Sequence, residues 1–134
     1  MSIRTAFPVV AAAAALAFAT AAPTAAAQPT ATQQGTVYAW ISDGWGGGTV
    51  TSSPAGITCH TTAWDPYAEN ANAPYPAGSC EASFPVGTRV TFTATPDPGS
   101  YVNGEPYPTS LTVVAGYNSV WVMFCPDEGL CTSW

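Results

Sequence analysis

The chain has 134 residues, with 8 Asp and Glu against 2 Lys and Arg, a net charge of -6 at pH 7. So acidic a surface repels phosphate backbones and anionic lipid, which excludes nucleic-acid and membrane-surface roles. Charged residues make up only 7% of the sequence and aromatics 12%, the composition of a folded, aromatic-rich domain and not of a disordered acidic tail.

The N-terminus reads as a signal peptide over residues 1–27. Arg4 supplies a minimal positive region, Val9 to Thr20 is apolar and largely alanine, and Ala25 and Ala27 stand where signal peptidases read small residues. Cleavage is expected before Gln28. The apolar run falls short of the ~20 strongly apolar residues that span a bilayer. No cysteine follows it closely, so neither a transmembrane nor a lipid anchor is expected. With the leader removed, Arg89 is the one remaining Lys or Arg and the balance is about -7. Residues 28–35 are polar and patternless and read as a flexible lead-in. Residues 36–134 then form a single domain of roughly 100 residues, small enough for covalent staples to matter.

From Thr36 onward the chain reads as strands. "TVYAWIS" puts Val37, Ala39 and Ile41 on one face and Tyr38 and Trp40 on the other. "WGGG" (Trp45 to Gly48) reads as a flexible connector into a shorter, weaker strand, "TVTSSP". "RVTFTAT" sends Val90, Phe92 and Ala94 inward and its threonines outward. "PDPGS" (Pro96 to Ser100) is a turn cluster. "SLTVVAG" places Leu111, Val113 and Ala115 inside, "AGYNS" reads as the hairpin loop joining the last two strands, and "NSVWVMFC" places Val120, Val122 and Phe124 inside. No segment holds an apolar stripe at a helical period, and glycine and proline punctuate nearly every window. The expected fold is all-β: a small disulfide-linked sandwich or β-grasp-like sheet with little or no helix.

Between Cys59 and Cys80 lies an inserted loop over residues 60–79, "HTTAWDPYAENANAPYPAGS". Trp64, Tyr67 and Tyr75 are candidate ligand contacts, with Asp65, Glu69, Asn70 and Asn72 as hydrogen-bonding groups around them. Aromatic faces beside amides and carboxylates suit sugar rings, and Trp and Tyr equally anchor protein partners. The bland alternative is that these rings fold back over an open sheet face, because a small core needs every aromatic it has. A second candidate surface is the outward side of the first and last strands. Tyr38 and Trp40 there alternate opposite to the core residues, as do Trp121 and Met123. An apolar residue on both faces of a strand points to a central strand covered on both sides, and that is the expectation here.

His60, the only histidine, has no oriented partner visible in the sequence and is read as a strand-end residue. Asp65 and Glu69 would suit glycoside hydrolysis only across a cleft that so small a domain has little room to build. "DPYAEN" lacks the dense oxygen ligands of a calcium loop. Four cysteines allow three pairings, and none of their spacings is the short Cys-x-x-Cys of a zinc site. No enzyme, cofactor or metal is expected.

Three segments, "GTVTSSPAGITC" (Gly48 to Cys59), "CEASFPVGTRVTFTATPDPGSYVNG" (Cys80 to Gly104) and "LTVVAGYNSVWVMF" (Leu111 to Phe124), together resemble the divergent internalin-type B repeats, also called bacterial repeat domains. The similarity covers about two-thirds of the chain after the leader, and its Gly-Thr-x-Val-Thr-x-Thr-Ala-x-Pro core is its most specific part. The resemblance implies a small secreted β module without catalysis and a Cys59–Cys80 disulfide. Proximity then leaves Cys125 with Cys131, a short bridge that ties down Trp134. Two departures stand out. The family keeps few residues between its paired cysteines where this chain has the long aromatic insertion, and "VNGEPYP" replaces the family's Gly-Trp after the aromatic at Tyr101. Thr36 to Trp45 precedes the family core and adds a strand.

The functional expectation is a secreted, non-catalytic binding or interaction module. Its partner is an unidentified protein or carbohydrate at the cell exterior, with no nucleic acid and no membrane anchor. The alternative is a secreted inhibitor of an extracellular protease or glycosidase, since a proline-rich tethered loop loses little entropy on entering an active site.

Overall fold

Alternation of small and β-branched residues sets the first strand, and the rest of the architecture is organised around it. The computed structural model describes residues 21–28 and 30–131; the apolar leader run and Trp134 lie outside them. The folded unit begins at Ala31. Nine strands form in chain order: β1 (Gln34–Ser42), β2 (Gly48–Ser53), β3 (Thr58–Thr61), β4 (Ala77–Ser79), β5 (Glu81–Pro85), β6 (Arg89–Pro96), β7 (Ser100–Val102), β8 (Ser110–Thr112) and β9 (Gly116–Pro126). There is no helix among the described residues.

The strands make two sheets, one ordered β5-β1-β9-β7 and the other β4-β3-β2-β6-β8. β1 and β9 run parallel, from Gly35 opposite Gly116 to Ser42 opposite Met123, and every other pair is antiparallel. The core lies between the sheets. Val37 and Ala39 of β1, Phe84 of β5 and Val120, Val122 and Phe124 of β9 meet Val50, Ile57, Cys59, Val90 and Phe92 from the other side. These are the inward residues that period-two alternation assigns on β1, β6 and β9. The all-β, disulfide-linked sandwich expected from the sequence is the observed fold, with bridges Cys59–Cys80 and Cys125–Cys131 and no free cysteine.

Four local expectations are corrected. "AGYNS" does not close a hairpin: β8 pairs with β6 in one sheet and β9 with β1 in the other, so the chain crosses the sandwich there. Val113 plugs the core at the crossing, while Ala115 is exposed. The buried Asn118 side chain holds it by accepting from the Val114 N–H at 2.9 Å and donating to the carbonyls of Val114, Gly116 and Thr36. One amide thus satisfies both backbone groups of Val114, which lies between β8 and β9.

"WGGG" is not a loose connector. It is the packed crossing from β1 to β2, where the Gly46 N–H donates to the Phe124 carbonyl. A Cβ on Gly46 would lie 2.5 Å from the Cys125 carbonyl carbon, and one on Gly48 2.3 Å from the Phe124 ring, so the sheets close only over glycine. "TVTSSP" is not a weak strand, for it forms β2 at the centre of the five-stranded sheet. Finally, the lead-in joins the fold: β1 starts at Gln34, Gly35 is buried, and the Val86 N–H donates to the Gln33 carbonyl.

Candidate functional site

The insertion between the bridged cysteines divides into a part that covers the body and a part that stands away. The disulfide holds the loop's two ends with their Cα atoms 4.5 Å apart. Inside the loop the Asp65 carboxylate accepts the Tyr67 N–H at 2.9 Å, a local turn that uses up one oxygen of a proposed contact residue. The Trp64 N–H donates to the Trp45 carbonyl and its indole Nε1–H to Asp43 at 2.9 Å. Tyr67 meets the Trp45 ring edge-on, centroids 5.9 Å apart. Trp64 therefore caps the β1–β2 crossing while Tyr67 touches it by one ring edge and stays 78% exposed, and a cleft of about 260 Å³ separates the two from Leu130 near the C-terminus. Tyr75 does not join them. It lies between Pro74 and Pro76 at 93% exposure. Glu69 is exposed with no hydrogen-bond partner among the described residues. The three loop aromatics named from the sequence do not form one platform.

The outer face of the four-stranded sheet does. Trp40 and Trp121 are register partners on adjacent parallel strands and point away from the core. Their rings stack with centroids 5.7 Å apart at 20°. That spacing exceeds face-to-face contact, so the rings are offset and each leaves part of a face to solvent. Tyr38 stacks on Tyr117 at 5.2 Å, and the Trp40 Nε1–H donates to the Tyr117 hydroxyl at 2.8 Å, which locks the two pairs into one surface. Tyr107, bridged to Trp121 through reciprocal backbone bonds, extends the row on the far side. β1 and β9 are indeed central strands, yet the expected cover over this face is missing among the described residues: Trp40 is 45% exposed and Trp121 50%. At Met123 the outer side is partly covered, by Gly44 of the β1–β2 crossing and by Cys131, whose Sγ lies 3.8 Å from the Met123 Sδ.

Charge around the face is one-sided. Glu81 stands opposite Tyr38 on β5, and Glu105 shares a cleft with Trp121 and Tyr107. Arg89, the only Lys or Arg among the described residues, is on β6 in the other sheet and donates to the Ser110 hydroxyl. Beside the face a groove of about 440 Å³ opens between the end of β1 and the segment around Pro76 and Gly78, with Trp40 and Glu81 at its walls.

His60 does have an oriented partner, which the sequence left invisible: its Nε2 lies 2.9 Å from the Asp97 carboxylate, 37 positions away. Ser100 sits in the same turn, but its hydroxyl is buried and accepts the Gly47 N–H. That places it as a backbone clip and not as a nucleophile aimed at solvent. No group of three or more His, Cys, Asp or Glu side chains converges among the described residues. The two disulfides fit an oxidising setting, and no helix among those residues is long and apolar enough to cross a membrane. Against known family models, curated proteins and solved structures, the chain has no match.

Proposed function

We propose that this protein is a non-catalytic binding domain that works outside the cell and captures its partner on the outer face of the β5-β1-β9-β7 sheet. The half-exposed Trp40–Trp121 pair at the centre of that sheet carries the reading. Large aromatic surfaces left open to water are costly, and contiguous ones mark contact sites. Here the rings are also fixed in place by stacking and by the Trp40–Tyr117 hydrogen bond, so little side-chain entropy is left to lose on binding. On the inserted loop Trp64 is half-buried, while Tyr67, edge-on to Trp45, and Tyr75 stay largely exposed without forming one surface.

Trp121→Ala tests this. Losing one half-exposed partner of a stacked pair costs about 0.5–1.5 kcal/mol beyond the area lost, so the domain stays folded. Retention of culture-filtrate proteins and cell-wall polysaccharides on the immobilised domain should fall at least about tenfold, as for an anchor residue at an interface. Retention equal to that of the native chain would remove the face from consideration.

One observation favours a second reading. Tyr75, standing out between two prolines on a disulfide-tethered loop, has the form of a residue that enters another protein's pocket. If the chain inhibits a hydrolase, secreted proteases and glycosidases assayed with it should lose activity, and Tyr75→Ala should weaken that inhibition about tenfold or more. Full activity of every enzyme at saturating protein would eliminate the inhibitor reading.

A further inference from the structure

The groove at the end of β1 coincides with a break in the sheet's hydrogen bonding. β5 pairs with β1 only as far as Tyr38 opposite Glu81. Beyond that point the ribbon bends at Cys80, and β4 leaves to pair with β3 in the other sheet. The last bond across the gap runs from the Ala39 N–H to the Cys80 carbonyl at 2.8 Å. Cys80 does not return it, because its own N–H donates to Gly78. The Ala39 carbonyl is left without a partner among the described residues.

Alternation along the strands fixes the direction of the neighbouring groups. Backbone groups of successive residues point to opposite edges. Those of Ala39 point toward β5, so those of Ile41 do too. β9 agrees independently: the Trp121 N–H and carbonyl bond to Tyr107, and the Met123 carbonyl accepts from Asn103, all on the edge of β9 away from β1. These are the groups that Ile41 would need for a bond to β9, and they face the wrong way. The Ile41 N–H and carbonyl, with the Ala39 carbonyl, are therefore three adjacent strand groups facing the groove with no partner among the described residues.

We infer that this gap is a strand-addition site, in which an extended segment of a cationic partner protein lies along Ala39 to Ser42 and completes the sheet. Unpaired strand edges template such pairing. A guest parallel to β1 would satisfy all three groups, and an antiparallel one would satisfy the two on Ile41. The groove holds about 440 Å³ and is walled by Tyr38 and Trp40 on one side and Pro76 on the other. Glu81 stands at its mouth, and the whole chain is acidic at net -6. Carboxylate and aromatic faces together select Lys or Arg on the guest, by charge and by cation–π attraction. The inference rests on the aromatic-face reading for the contact area that flanks the strand, and it adds the kind of partner and how it is held.

Amide exchange on the ¹⁵N-labelled full domain tests it. In the free protein the Ile41 amide should exchange at least about tenfold faster than those of Trp40 and Ser42, whose N–H groups face β9. A short peptide alternating Lys and Val should slow Ile41 to the rate of its neighbours, and its Glu–Val counterpart should bind at least about tenfold more weakly. Glu81→Gln, which leaves the fold intact, should weaken the Lys–Val peptide about two- to fivefold, the effect of one exposed ion pair. An Ile41 amide already protected in the free protein, with sedimentation showing a dimer, would make a second copy the occupant and overturn the cationic partner. An Ile41 amide that still exchanges fast under saturating Lys–Val peptide would overturn strand addition. Trp121→Ala separates this from the face reading. Protection at Ile41 together with undiminished retention by that variant refutes the aromatic face alone. Retention lost in the variant, with Ile41 unprotected by peptide in the native chain, refutes strand addition alone.

Discussion

Truncating Phe124 to alanine is expected to destabilise the domain by about 3–5 kcal/mol, the range for large aromatic-to-alanine changes in a packed core. Phe124 is fully buried on the longest strand, and its ring packs against the backbone of Gly48 on the opposite sheet. It therefore spans the sandwich where the opposite sheet offers only glycine to it. Removing the ring forfeits its transfer free energy. The space it leaves cannot close, because the two sheets are tied together near that point by the Gly46–Phe124 backbone bond and by the β1–β2 crossing. A domain of roughly 100 residues has a net stability of about 5–15 kcal/mol, so the loss is a large share of the total. Urea unfolding followed by tryptophan fluorescence measures it. The midpoint should drop steeply for Phe124→Ala and by much less for Phe124→Leu, which keeps most of the volume. Equal midpoints for the two variants would mean that the ring is not the packing centre of the sandwich.

Opening the Cys59–Cys80 bridge is the second large effect. The bond closes a segment of sequence separation 21, and chain-entropy arithmetic gives it about 3 kcal/mol. Its position adds a specific consequence. Cys59 is buried on β3, and Cys80 is the corner at which the chain passes from β4 in one sheet to β5 in the other. Without the bond, only three residue pairs hold β4 against β3. The Cys59→Ala/Cys80→Ala variant should thus lose about 3 kcal/mol and become sensitive to protease within residues 62–76, while the β1–β9 ladder stays protected. Alanine is the right replacement, since serine would bury a hydroxyl at Cys59 without a partner. Removal of Cys125–Cys131, with a separation of 6, should cost less, about 2 kcal/mol, and leave the residue 62–76 segment resistant. If the first variant matched the native chain in both stability and proteolysis, the bridge would not be what anchors the corner.

Much of this molecule could be read from residue order alone, and the readable part has a common cause. Side-chain direction in a strand depends only on local backbone geometry, so Val37, Val90, Phe92, Val120, Val122 and Phe124 could be assigned to the core without knowing any partner strand. Absence of a helical period and the density of glycine and proline fixed the class in the same way. The Cys59–Cys80 bridge is the one the family resemblance implies, Cys125–Cys131 is the pair that proximity leaves, and both are present.

Whatever lay beyond the sequence depends on residues far apart. Alternation showed that Tyr38, Trp40, Trp121 and Met123 face away from the core, but whether anything covers them is decided by where the connections run. In this fold Trp40 and Trp121 stay half-exposed, while Gly44 and Cys131 partly cover Met123. "AGYNS" has the residues of a hairpin turn, yet the pairing of β8 with β6 carried it across the sandwich. His60 and Asp97 meet only because β2 lies between the strands that carry or precede them. The unpaired groups of Ala39 and Ile41 exist because β5 bends away at Cys80. Local chemistry therefore determined which way each side chain points. Long-range pairing determined what each one meets, because the register and order of strands are settled by contacts whose energy appears only once distant segments are brought together.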